Sequence, residues 1–198
     1  MTARLFHDQR GASAAEFAMV VPLLLLLIFA IIDGGRLMWT INRADKAVQM
    51  GARYAAVTRM VPSSLAAYKF ATAASPVASG TPVPVASWAG TTCVSDSCSN
   101  DTAAGPSPGF DEDAFAGIVQ RMAVLFPEIS DATVQISYKN VELGYSGDPY
   151  GADVAPEITV SVSGLTYTPL TTLSLAAFNL PTFKASVTME DGRGTQAN

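Results

Sequence analysis

Histidine is all but missing. His7 is the only one in 198 residues, and it falls in Met1–Gly11, a segment too polar and too short to fold that reads as a leader. With that leader removed, histidine-dependent catalysis has no residue to use. No nucleophile–base pair, metal-ligating cluster or phosphate-cradling loop can be assembled from the rest, so the chain reads as a non-enzyme without a cofactor. Basic residues are scarce in the distal part: residues 61–198 hold 5 Lys+Arg against 13 Asp+Glu, net −8, while residues 1–60 hold 7 against 4, net +3. An acidic distal portion argues against sequence-independent nucleic-acid binding. Cysteine is limited to Cys93 and Cys98, a C-x4-C pair in a polar stretch that suits a local disulfide in an oxidising compartment. Two free thiols are the alternative, and two ligands alone do not make a structural zinc site.

Charge is nearly absent from Ala12 to Ile32, 21 consecutive residues with one ionisable member, Glu16. That run meets the ~20 residues a helix needs to cross a bilayer. A carboxylate at mid-bilayer costs roughly 2.5–3.5 kcal/mol. Glu16, however, lies only ~6 Å along a helix axis from Ala12, near an N-terminus whose macrodipole favours it. It is either a tolerated interfacial acid or a partner for a new charge. Cutting the chain after Gly11 would place an ammonium on Ala12, with an ordinary pKa of ~8, and Glu16 of a neighbouring subunit would match it. Mean hydropathy of +0.27 and 49% apolar content are inflated by this run. The 166 residues beyond it suffice for one small domain.

Small residues on both sides of that bond, Arg10 before it, Glu16 at the fifth position after it, Phe17 at the sixth and then an apolar span form a specific constellation. It resembles the class III leader of type IV prepilins and pseudopilins. More narrowly, Gly11 to Arg36, with Asp33-Gly34-Gly35-Arg36 closing the span and Gly51-Ala52-Arg53 beyond, is similar to the TadE-like minor pseudopilins of tight-adherence (Flp-type) pili. The resemblance is strong over residues 8–60 and weak over the C-terminal strands. It implies cleavage between Gly11 and Ala12 by a membrane aspartic prepilin peptidase, subunit assembly through Glu16 and Phe17, and a role in pilus assembly. The implied partners are that peptidase, other pilins or pseudopilins, inner-membrane pilus assembly proteins and membrane lipid, with no nucleic acid. Arg4 and Arg10 would hold the N-terminus in the cytoplasm, but Arg36, Arg43, Lys46, Arg53 and Arg59 lie on the far side and by a bare count would put that side inside. The resemblance and the cysteines outweigh the count and imply a single pass of the inner (cytoplasmic) membrane with the distal domain extracytoplasmic. The rival readings are an uncleaved membrane-anchored periplasmic binding or scaffold protein of a secretion system, and an ordinary secreted binding protein.

In order, the chain divides into a leader (1–11), a transmembrane helix (12–32), an amphipathic continuation (33–60), a Pro/Ser/Ala-rich loop with the cysteine pair (61–109), a head domain (110–191) and a polar tail (192–198). Leu37, Ile41, Ala44, Val48, Ala52 and Ala55 share one helical face, so the helix is expected to reach Arg59 or Met60 before Val61-Pro62. Pro22 within the span either kinks it or is tolerated. Residues 12–59 as one rod would measure ~72 Å; a bend at Gly34-Gly35 is the alternative. Residues 61–109 read as a long exposed loop, with a short helix near Ser64–Ala74 and a local knot around Trp88 and the cysteines. Asn100-Asp101-Thr102 matches a glycosylation acceptor, a tripeptide too common to carry weight. Asp111 reads as an N-cap, with Glu112 and Asp113 in the first turn and an apolar stripe Phe115, Ile118, Val119, Met122 and Phe126. A divalent-metal site on the acidic trio is the lesser alternative. Period-two alternation marks strands at Val134–Lys139, Ile158–Val162 and Phe183–Met189. A calcium loop at Asp148 and Asp153 lacks its ligand series, and Thr168–Phe178 reads as a short helix. The predicted class is α+β: a long pilin-like transmembrane helix, then a small domain with one helix packed on a small antiparallel sheet.

Overall fold

The computed structural model describes residues 12–170 and 177–192, with side chains from residue 14 onward. The leader, most of the helix expected at 168–178 and the tail beyond Gly192 lie outside the described residues. The described chain forms two units, residues 12–40 with 167–170 and 177–178, and residues 41–166 with 179–192.

The first element, α1 (Ala12–Val57), is one uninterrupted helix of 46 residues that contains Pro22. Pro22 removes one donor, and Gly34 and Gly35 each cost about 1 kcal/mol against Ala; the good helix formers that follow, Leu23–Leu27 after the proline and Arg36-Leu37-Met38 after the glycines, propagate the helix past all three. Helix formation stops at Val57, just short of the β-favouring pair before Pro62.

Within the second unit five strands form one sheet: β1 (Gly90–Cys93), β2 (Cys98–Asn100), β3 (Val134–Lys139), β4 (Glu157–Val162) and β7 (Phe183–Thr188), in the order β2-β1-β3-β4-β7. Every neighbouring pair is antiparallel. A two-stranded ladder joins β5 (Thr166–Tyr167) to β6 (Phe178–Asn179). The register Val134↔Val162, Ile136↔Val160 and Tyr138↔Ile158 sets all six side chains on one face, and all six are buried. That is the alternation read from the sequence, with Gln135 and Lys139 exposed on the other face. The Tyr138 hydroxyl accepts the Val61 N–H at 3.1 Å, which ties the buried face to the chain leaving α1.

The second helix, α2 (Glu112–Ala123), buries Phe115, Ile118, Val119 and Met122, as its stripe predicts, and Phe126 is buried just beyond it. It lies along the last turns of α1. There Ala44, Ala47, Val48, Ala52, Ala55 and Ala56 are buried, and a Cβ on Gly51 would stand 2.5 Å from the Met122 sulfur. Gly51 leaves the space that the Met122 side chain fills. Arg43 reaches across to the Leu125 carbonyl, with Nη2 at 2.8 Å, and lies 5.5 Å from the Phe126 ring centroid.

Residues 61–109 depart from the exposed loop that their composition predicts. Val61, Leu65, Phe70, Val83 and Trp88 are buried, β1 and β2 supply two strands of the sheet, and two short 3-10 turns, Leu65–Ala67 and Phe70–Thr72, replace the expected helix. The prolines do block regular structure, but side chains satisfy the irregular backbone instead. Asn140 Nδ2 donates to the carbonyls of Val83 and Trp88 at 2.9 and 2.8 Å, and Asn100 Nδ2 donates to Pro106 at 2.8 Å. Trp88 Nε1 donates to Thr91 Oγ1 at 3.1 Å. Burying irregular backbone is possible only when its polar groups find partners in this way.

Candidate functional site

Three of the sequence-predicted groups belong to α1. Gly11 lies outside the described residues, and Ala12 is the first helical residue. Glu16 and Phe17 are exposed, and so is nearly all of the apolar run that follows, including Leu23, Leu24, Leu27 and Ile31. A groove on this helix is lined by Val20, Leu23, Leu24, Leu26 and Leu27 alone. The helix is long and apolar enough to cross a membrane, and none of its most apolar stretch is buried. Apolar surface loses about 25 cal/mol for each Å² left in water, so a face this extended marks a lipid or protein contact. The helix fits single-pass anchoring.

The end-of-span motif acquires partners that the sequence did not reveal. Asp33 Oδ1 accepts the Leu170 N–H at 2.9 Å, and the Asp33 carbonyl accepts the Tyr167 hydroxyl at 3.0 Å. Arg36 Nη1 stands 3.5 Å from Asp33 Oδ1, and its guanidinium lies 5.9 Å from the Tyr167 ring centroid. Tyr167 in turn meets Phe178 with ring centroids 5.6 Å apart. Gly34 and Gly35 have open space where a side chain would stand, so neither is required by close packing within the chain. Tyr167 and Leu170 carry no local motif, and their link to Asp33 spans more than 130 residues.

In the second unit, Cys93 and Cys98 form a disulfide between directly paired residues of the β1–β2 hairpin. Asp111 acts as the N-cap of α2, accepting the Ala114 N–H at 2.9 Å, and its other oxygen lies 3.4 Å from Arg59. No group of three or more His, Cys, Asp or Glu side chains is placed to hold a metal ion among the described residues.

The long β3–β4 connection is organised by an ammonium group. Lys69 Nζ donates to the carbonyls of Asp148 and of Gly151, the latter at 2.9 Å, and to Asp153 Oδ1 at 3.1 Å. The fully buried Asp153 uses Oδ2 to accept the N–H groups of Phe70 and Gly147 at 2.8 and 2.9 Å. The weighed calcium reading is thereby replaced by a tethered cation from the chain itself. The N–H of Tyr150 holds the Asp148 carboxyl below the usual carboxylate range, and the Asp148 charge pushes the neighbouring Tyr145 hydroxyl up. Burial raises the Tyr138 phenol well above an ordinary tyrosine.

Residues 11–53 match the model of the TadE-like protein family, the segment that holds Gly11, Ala12, Glu16, Phe17, the apolar run and the Asp33–Arg36 motif. No curated protein and no solved structure matches the chain.

Proposed function

We propose, from the premise that residues 11–53 are TadE-like, that the chain is a minor pilin, or pseudopilin, acting in the assembly of a tight-adherence pilus. The observation that carries the reading is the coincidence of that match with the exposed apolar half of α1. A helix bare to this degree is made to be covered, by lipid before assembly and by other pilin helices after it. A membrane prepilin peptidase cuts between Gly11 and Ala12, and the new ammonium pairs with Glu16 of an adjacent subunit. Desolvation offsets much of the Coulomb attraction, so the pair sets register more than it adds stability. Phe17 and the leucine groove contribute apolar contact. The N-terminus is cytoplasmic and the sheet domain is presented outside, where the subunit primes, initiates or caps the filament.

N-terminal sequencing of the membrane-extracted protein tests the cut, and a start at Ala12 is expected. Glu16→Gln is expected to be processed normally yet excluded from pili; normal piliation in that variant removes Glu16 from the mechanism. Retention of residues 1–11 on the native protein would leave an uncleaved anchor carrying a periplasmic scaffold domain.

A further inference from the structure

Asp33 is the first residue past the apolar run, so its depth is fixed once residues 12–32 span the bilayer, the reading on which this inference rests. At ~1.5 Å per residue the run measures roughly 31 Å, about the ~30 Å of a hydrocarbon core. Asp33 then stands where hydrocarbon gives way to head groups. The groups clamped to it share that depth: the Leu170 amide on its carboxylate, the Tyr167 hydroxyl on its carbonyl and Phe178 against Tyr167. Leu170 is 65% exposed and Phe178 36% exposed. On the same stretch of α1, Trp39 is 68% exposed and Met38 is also exposed. Asp33 to Trp39 covers ~9 Å of helix axis, close to one interfacial layer of roughly 5–8 Å. Aromatic side chains concentrate in that layer, and a half-exposed arginine such as Arg36 meets phosphate oxygens there.

We propose that the Asp33–Arg36–Tyr167 clamp seats residues 167–170 and Phe178 in the lipid head-group layer, giving the chain a second, in-plane contact with the membrane beside its span. The clamp also answers the cost of a carboxylate at that depth, since Asp33 has an arginine and an amide as partners. Leu170 and Phe178 are bare because lipid covers them.

The test uses the full chain in phosphatidylcholine/phosphatidylglycerol vesicles. Among the described residues both cysteines are bonded, so Leu170→Cys or Ile28→Cys can be labelled singly with a polarity-sensitive fluorophore. A probe at 28 is expected to be quenched by lipids bearing a nitroxide deep in the acyl chain. A probe at 170 is expected to be quenched by head-group nitroxides and shielded from aqueous iodide. Adding Tyr167→Phe or Asp33→Ala should strip the 170 probe of its lipid quenching and leave 28 unaltered; if Asp33→Ala does not insert, Tyr167→Phe decides. Iodide access at 170 with 28 deep overturns the clamp proposal and leaves the span standing. A 170 probe shielded from iodide but unquenched by lipid also overturns it, because protein rather than lipid then covers the site. Absence of deep quenching at 28 instead overturns the span reading itself.

Discussion

Lys69 shows how far a single side chain can organise a loop. Its side chain is only 33% exposed, and that of its carboxylate partner Asp153 is not exposed at all. Removing one member of such a pair leaves a buried charge without compensation. Lys69→Met is therefore expected to destabilise the fold by about 3 kcal/mol, read as a lowered urea midpoint for the full chain in detergent with Trp88 fluorescence as the probe. Tyr138 gives a pH prediction of definite sign. Its folded pKa is raised by burial, so the native state keeps a proton that the unfolded chain loses above about pH 10. Its contribution is fully present below that value and falls away as pH rises. Tyr138→Phe should flatten the alkaline arm of the stability profile. Asp148 and Asp153 were visible in the sequence, but their meaning was not, because the lysine that pairs with the Asp153 carboxylate and bonds the Asp148 carbonyl lies 84 and 79 residues away. Asp111 was legible for the opposite reason: an N-cap acts over three residues, within reach of a local pattern.

Elements were read well where their periodicity was strong. β3, β4 and β7 alternate over six residues each, and the stripe of α2 covers three turns. β1 and β2 were missed because Gly90-Thr91-Thr92-Cys93 and Cys98-Ser99-Asn100 are too short and too polar to show a period. Their strand character comes from pairing with β3 and from the disulfide across Cys93↔Cys98. Replacing both cysteines by serine is expected to cost about 2 kcal/mol on loop-closure grounds and to lower the urea midpoint measured in the same way. Gly90 is constrained differently. A Cβ there would stand 2.8 Å from the Tyr138 carbonyl, a backbone atom that cannot step aside. Gly90→Ala should cost about 1–3 kcal/mol through overpacking, registered as earlier loss of hydrogen-exchange protection in the β1–β3 pair.

At the scale of the whole molecule, the sequence announced a long helix followed by an α+β domain, because an apolar run of 21 residues and a small-residue face each leave a strong local mark. It did not announce that residues 61–109 belong to the same packed body. Large apolar residues occur there singly among Ser, Ala and Pro, and only long-range partners give them a core to enter. The proposed orientation weighs the leader and the cysteines above the Lys/Arg count. An alkaline phosphatase fused after Gly192 is expected to be active, and a count-driven, inverted chain would leave it silent.

The end of α1 is finished from afar. The N–H groups of Glu190 and Asp191 both bond the Ala56 carbonyl, at 2.9 and 3.0 Å, and β7 just before them completes the sheet against β4. About 130 residues of synthesis separate these partners, roughly ten seconds at ~5–20 residues per second. For that interval the nascent chain has its long helix and an unclosed β-sheet, whose β4 edge offers unpaired backbone groups to any other strand it meets.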